Sequence, residues 1–164
     1  MTLVNKKKFV LLFSLIIITD QVAKIIIQSI FNPERHKVIT VIKDFFVIRY
    51  VENKGAVWGI FSQSSSTIIP KIITVLSLVA LVVVIYFFLK LEGKCVLELT
   101  SFSFIIGGAV GNIIDRLLQG YVVDFLDVFI KEYHWPTFNV ADSFISIGVV
   151  LLIISIWRGK CTQF

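Results

Sequence analysis

Four long apolar runs set the pattern of this chain. They extend from Phe9 to about Phe31, from Ile68 to Leu89, from Val96 to Leu118 and from Phe138 to Trp157. A helix that spans a bilayer needs about 20 mostly apolar residues, so each run has the length of one span. The pattern predicts an all-α membrane protein with four transmembrane helices. Two stretches depart from it. In the first, residues 32–67, Pro33, Glu34, Arg35 and His36 break the first helix, and KVITVI and FFVIRYV follow, rich in β-branched and aromatic residues. That composition predicts short strands, a small extracytoplasmic β-platform at the membrane surface with Trp58 at the interface. Whether the strands at 38–51 pair with each other or with a later segment is left open. Gly55 and Gly59 permit close backbone approaches there. The second stretch, residues 119–137, carries VVDFLDVFIKEYHWP and sets Asp124 in a strand-like or interfacial segment. Pro70 falls in the first turn of the second helix, where its missing N–H costs nothing.

Composition and charge sharpen this picture. Hydrophobic residues make up 57% of the 164 positions, above the 45–50% or so of ordinary soluble domains, so one integral membrane domain, residues 1–164, is expected. The net charge is +5, and Lys6, Lys7, Lys8, Lys90, Lys94, Arg158 and Lys160 lie in short segments beside the spans. Basic flanks of this kind face the cytoplasm, which predicts both termini inside and the loops at 32–67 and 119–137 outside. The first outer loop is also basic, through Arg35, Lys37, Lys43, Arg49 and Lys54. The basic start resembles that of a signal peptide. The apolar run behind it is too long and no small-residue cleavage site follows, so a retained first span is expected. No basic stripe with interleaved aromatics points to nucleic acid. Cys95 and Cys161 stand apart, as reduced thiols near the inner face, and His36 is expected at the surface; no metal site is implied.

Polar residues inside the apolar runs carry the candidate chemistry. One charged group at the centre of a membrane helix costs about 2.5–3.5 kcal/mol on insertion scales, so a chain that accepts several uses them. Asp20 and Lys24 are four apart and share a helix face, as an ion pair or as part of a site. Gly107 and Gly111 have the spacing that brings membrane helices close. Gly108, Asn112, Asp115 and Arg116 follow on one broad face of the third helix. Asn139, Asp142, Ser143 and Ser146 form a polar stripe on the fourth. In the four-span topology Asp124 follows the outer end of the third span and Asp142 opens the fourth at the same depth. Two facing carboxylates share a proton, and such a pair activates water for peptide hydrolysis. Asp127 is expected as a solvated surface group. No Ser–His or Cys–His arrangement competes, and GGAVGN lacks the lysine of a phosphate loop.

At these residues the sequence resembles the lipoprotein signal peptidases, or signal peptidase II family. The resemblance rests on DQVAK at 20–24, NKGAVWG at 53–59, GGAVGNIIDR at 107–116, VVDF at 122–125 and FNVADS at 138–143. It implies a bacterial inner-membrane aspartic endopeptidase with a periplasmic β-cradle. Such an enzyme removes the signal peptide of diacylglyceryl-modified prolipoproteins just before the lipidated cysteine. It implies Asp124 and Asp142 as the catalytic pair, and Asp20, Lys24, Asn53, Gly108, Asn112, Asp115, Arg116, Asn139 and Ala141 as residues that bind substrate or support the site. It implies no metal or organic cofactor; the partners are the prolipoprotein and membrane lipid, and a monomer is expected although the sequence does not encode the oligomeric state. Glu52 and Val57 depart from the family's usual residues in the cradle, which bears on substrate fit. A proton-coupled carrier, a structural subunit and an aspartic intramembrane protease of other specificity are the rival readings.

Overall fold

The computed structural model describes residues 6–31, 38–55, 68–91 and 95–159. The expectations for His36, Val57, Trp58, Gly59 and Cys161 fall outside them. In chain order the elements are α1 (Lys7–Ile30), β1 (Ile39–Ile42), β2 (Phe46–Asn53), α2 (Ile68–Lys90), α3 (Val96–Gln119), β3 (Val122–Ile130), β4 (Tyr133–His134) and α4 (Val140–Trp157). All four helices are long and apolar enough to cross a membrane. The fold is thus the expected one, four apolar helices with a small sheet.

α3 is the axis of the bundle. Its most apolar window is 61% buried, against 22% for α1, 11% for α2 and 17% for α4. The other three present aliphatic faces outward, such as Leu76, Val79, Val82 and Val83 of α2, as helices in lipid do. Three glycines let the neighbours close on α3. A Cβ on Gly107 would lie 2.9 Å from the Ile16 side chain, one on Gly111 2.6 Å from Asp20 Oδ2, and one on Gly108 2.4 Å from the Ala141 carbonyl oxygen. The small-residue spacing therefore serves α1 on one side and α4 on the other. The contacts Ile16–Gly107, Asp20–Gly111 and Gln28–Gln119 climb together, so α1 and α3 run parallel. Gly148 against Ser101 and Ser155 on Glu98 show α4 running back the other way.

The strands pair antiparallel in the order β1-β2-β3-β4. Both pairings left open by the sequence occur, since β2 takes β1 on one side and β3 on the other. One extra residue of β2 lies between the pairs Ile48–Leu126 and Val51–Asp124, a bulge at Arg49 and Tyr50. Gly120 ends α3 in the left-handed conformation (φ 82°), its N–H bonded to the Arg116 carbonyl oxygen at 3.1 Å. That sharp stop starts β3 two residues later and brings Asp124 beside the last turn of α3.

Two apolar clusters bracket the polar middle. One joins Phe9, Phe88, Leu91, Cys95, Leu99, Phe102 and Ile106; the other joins Ile27, Phe31, Val123 and Phe125. Phe9 and Ile27 are 18 residues apart on α1, about 27 Å along a helix. Between them lie the buried polar side chains.

Candidate active site

The helix start at Asn139 builds much of the site. Asn139 is the N-cap of α4: its Oδ1 accepts the Asp142 N–H at 2.8 Å, and Asp142 Oδ2 accepts the Asn139 N–H at 3.3 Å. This reciprocal cap fixes the Asp142 carboxylate at the positive end of a helix. Asp20 of α1 adds a third bond, accepting the Ala141 N–H at 2.9 Å. Gly108 leaves room for this, because any side chain there would meet the Ala141 backbone.

Two asparagines, Asn112 and Asn139, link the two aspartates, and a third, Asn53, holds Asp124 from β2. Asn112 Nδ2 donates to Asp142 Oδ1 at 2.8 Å. Asn139 Nδ2 donates to Asp124 Oδ1 at 2.7 Å and to Asn112 Oδ1 at 3.0 Å. Asn53, at the end of β2, donates from Nδ2 to Asp124 Oδ2 at 2.9 Å, and its Oδ1 accepts the Gly55 N–H at 2.9 Å. Buried amides are expensive unless satisfied, and here they are satisfied by one another and by the carboxylates.

Behind the asparagines is a buried ionic cluster. Lys24 Nζ lies 2.7 Å from Asp20 Oδ2, 2.9 Å from Asp115 Oδ2 and 3.0 Å from Asn112 Oδ1. Asp115 also accepts the Val123 N–H at 3.1 Å, which ties the start of β3 to α3. The Asp20–Lys24 pair predicted from its spacing exists and extends to Asp115. Gln21 completes the cluster, donating to Asp115 Oδ1 at 3.0 Å and to the Gly111 carbonyl at 3.1 Å. The sequence reasoning passed over Gln21; its place between Asp20 and Lys24 on a charged helix turn was the signal.

Asp124 and Asp142 open on one cavity of about 390 Å³, lined also by Asn53, Asn112, Arg116, Ser143 and Ser146. Val122, Ile147 and the segment from Trp135 to Phe138 supply its apolar walls, a part the sequence reasoning did not assign. Arg116 lines the cavity while its Nη2 donates to the Gly55 carbonyl at 3.2 Å. Burial, and after it the charge of Asp142, push the Asp124 carboxyl up to about 7, against the pull of Asn53, Lys24 and Asn139. A carboxyl poised there holds a proton at neutral pH and can also give it up.

One expectation is corrected. Asp127 is fully buried, not solvated. It points to the opposite face of β3 from Asp124, as strand alternation requires of residues three apart, and it is ion-paired with Arg49 and hydrogen-bonded to His134. Cys95 is buried at the start of α3. Among the described residues no three His, Cys, Asp or Glu side chains converge as metal ligands.

Comparison with known proteins identifies the family. The sequence model described as signal peptidase (SPase) II matches residues 12–158. A lipoprotein signal peptidase of Syntrophotalea carbinolica is 39% identical over 159 residues, which cover 96% of each chain. One from Francisella tularensis subsp. novicida is 39% identical over 148 residues, 90% of each chain. A bacterial membrane enzyme structure, obtained by the in meso method at 2.3 Å resolution, superposes with a TM-score of 0.79 at 36% identity, covering 99% of this chain and 94% of that one. A second, at 1.9 Å resolution, gives 0.77 at 36% identity, covering 94% and 95%. The chain is a multi-pass bacterial membrane protein and belongs to the signal peptidase II family.

Proposed function

We propose that the chain is an aspartic endopeptidase that removes the signal peptide from diacylglyceryl-modified prolipoproteins, cutting just before the lipidated cysteine. The observation that carries this reading is the pair Asp124 and Asp142, two carboxylates on one cavity with asparagine side chains bridging them. In this mechanism a water lies between them. One carboxylate takes a proton from the water as its oxygen attacks the scissile carbonyl; the other, protonated, donates to the carbonyl oxygen. The resulting gem-diol collapses with proton transfer to the departing nitrogen. Asp124, whose carboxyl is raised to about 7, suits the protonated partner, and Asp142 at a helix N-terminus suits the ionised one.

Asn53, Asn112 and Asn139 hold the carboxylates in register. Arg116 lines the cavity and is a candidate contact for the substrate backbone. Asp20, Lys24 and Asp115, with Gly108 and Ala141, keep α1, α3 and α4 at the spacing the pair needs. The reading further takes the enzyme as a monomer without cofactor in the bacterial inner membrane, termini in the cytoplasm and cavity towards the periplasm. There the lipid of the substrate stays in the bilayer while its peptide enters the site.

The test is cleavage of a diacylglyceryl-modified prolipoprotein by purified protein in detergent, read by gel mobility. Asp142→Asn and an unlipidated substrate run as controls. Cleavage by the wild type alone, and of the lipidated form alone, supports the proposal. A folded wild type that leaves the substrate whole overturns it, and cleavage indifferent to the lipid points to a protease of other specificity.

A further inference from the structure

The cavity wall from Trp135 to Phe138 is held in an unusual way. After β3 the chain turns at Lys131, whose φ is 55°, and returns along β3 to Asn139. Backbone bonds hold this return strand to β3 at β4, Trp135 and Phe138. Trp135 N–H reaches the Val128 carbonyl at 2.8 Å, Phe138 N–H the Leu126 carbonyl at 3.0 Å, and the Phe138 carbonyl accepts the Phe125 and Leu126 N–H at 3.0 and 2.8 Å. Pro136 between them has no N–H to give. β4 itself is two residues long.

A side-chain tie fixes the start of the wall, next to Trp135. Asp127 lies fully buried on β3, and a carboxylate there needs partners. Arg49, at the bulge of β2, sets its guanidinium on Asp127 Oδ2. His134 of the return strand meets both Asp127 oxygens through Nδ1, at 2.9 and 3.0 Å, and its ring stacks on Phe129 at 4.7 Å. Nδ1–H donates to the carboxylate whether the ring is neutral or charged. Among the described residues, His134 makes the hydrogen-bonding side-chain tie between the return strand and the rest of the sheet.

We propose that Arg49, Asp127 and His134 form a clasp that sets the 135–138 wall of the cavity, making Asp127 and His134 positioning residues for substrate binding. The inference rests on the peptidase reading above. The clasp acts on binding rather than on the chemical step. Asp124 and Asp142 are held by Asn53, Asn112 and Asn139 on the other face of β3, and Phe138 is paired with Leu126 independently of His134. A loosened wall leaves the pair in place and weakens the fit of the substrate.

The experiment measures kcat and KM with a diacylglyceryl-modified prolipoprotein, together with amide hydrogen exchange over 134–138. It uses wild type, His134→Ala and His134→Asn purified in detergent. His134 is half-exposed, so both variants are expected to fold. His134→Ala raises KM about tenfold with kcat within about threefold of wild type, and its Trp135 amide exchanges at least about tenfold faster. His134→Asn restores both, because its Nδ2 stands where the imidazole Nδ1 stood. Unchanged exchange, faster exchange with unchanged KM, a fall in kcat alone, or no rescue by Asn each overturns the proposal. If the wild type itself does not cleave, the peptidase reading fails instead, and the exchange arm alone decides whether the clasp holds the wall.

Discussion

At the scale of single residues the asparagines explain the aspartates. Asp124 carries two amide donors, yet burial and the charge of Asp142 outweigh them and bring its carboxyl to about 7. The first expected consequence is an alkaline limb near pH 7 in kcat/KM, as the proton the pair shares is lost. Asn53→Ala removes a bond that favours the ionised form, so the limb moves to higher pH in a stopped assay across pH 5–9. A limb that stays in place in that variant counts against Asp124 as its source. The second consequence concerns stability. Asp124 has its carboxyl raised by folding, so the neutral form is the one the fold favours. Its contribution is full below the unfolded value near 3.9 and is lost as pH rises through about 7. Asp124→Asn stays neutral throughout. It is expected to lose about a thousandfold or more in cleavage and yet to gain thermal stability relative to wild type between pH 5 and pH 8. A variant that is both inactive and less stable at pH 8 would show that the carboxylate serves the fold.

At the scale of elements, the buried cluster of Asp20, Lys24 and Asp115 is the joint between α1, α3 and the start of β3. Lys24→Met leaves two carboxylates buried without their cation, so a loss of about 3–5 kcal/mol is expected, read as a fall in the unfolding midpoint in detergent. Gly108→Ala is expected to cost about a hundredfold in kcat/KM. Its Cβ would stand 2.4 Å from the Ala141 carbonyl oxygen, and only a shift of the α4 start, which carries Asp142, relieves that contact. The helices were legible in the sequence because a membrane helix announces itself by length and apolarity alone. So was the Asp20–Lys24 pair, which is local. The partners of the strands were not, because β2 finds β3 across 71 residues of chain, as Asn53 finds Asp124, and nothing near either strand encodes that choice. Asp127 was misjudged for a related reason. Its proximity to a polar loop suggested solvent, whereas its cation, Arg49, arrives from a strand far away in sequence. The cavity wall at Trp135 and Phe138 was missed because apolar lining carries no charge signature.

At the scale of the whole molecule, direction along the bundle turns the site into a topology. α1 and α3 run parallel and α4 runs back, so both ends of the described chain, at Lys6 and Gly159, lie at the pole opposite the sheet. That pole carries cations close to lipid depth. Lys6 Nζ reaches the Leu89 carbonyl at 2.8 Å and lies over the Phe88 ring, and Lys90 lies over Tyr86. The cavity and its aspartates lie at the other pole, where α1 and α3 end and α4 begins. In the proposed reading the bilayer follows the basic flanks, with the termini in the cytoplasm and the cavity outside, on the side where an exported prolipoprotein would present its signal peptide junction. Single cysteines test this in a Cys161→Ser background, with Cys95 retained because it is buried. Glu132→Cys, in the exposed turn between β3 and β4, is expected to react with a membrane-impermeant maleimide added to intact spheroplasts. Arg158→Cys, exposed at the far pole, is expected to react only after permeabilisation. The reverse pattern would invert the protein in the membrane. It would leave the aspartates facing a compartment that holds no exported substrate, and the proposed function would fall with the topology.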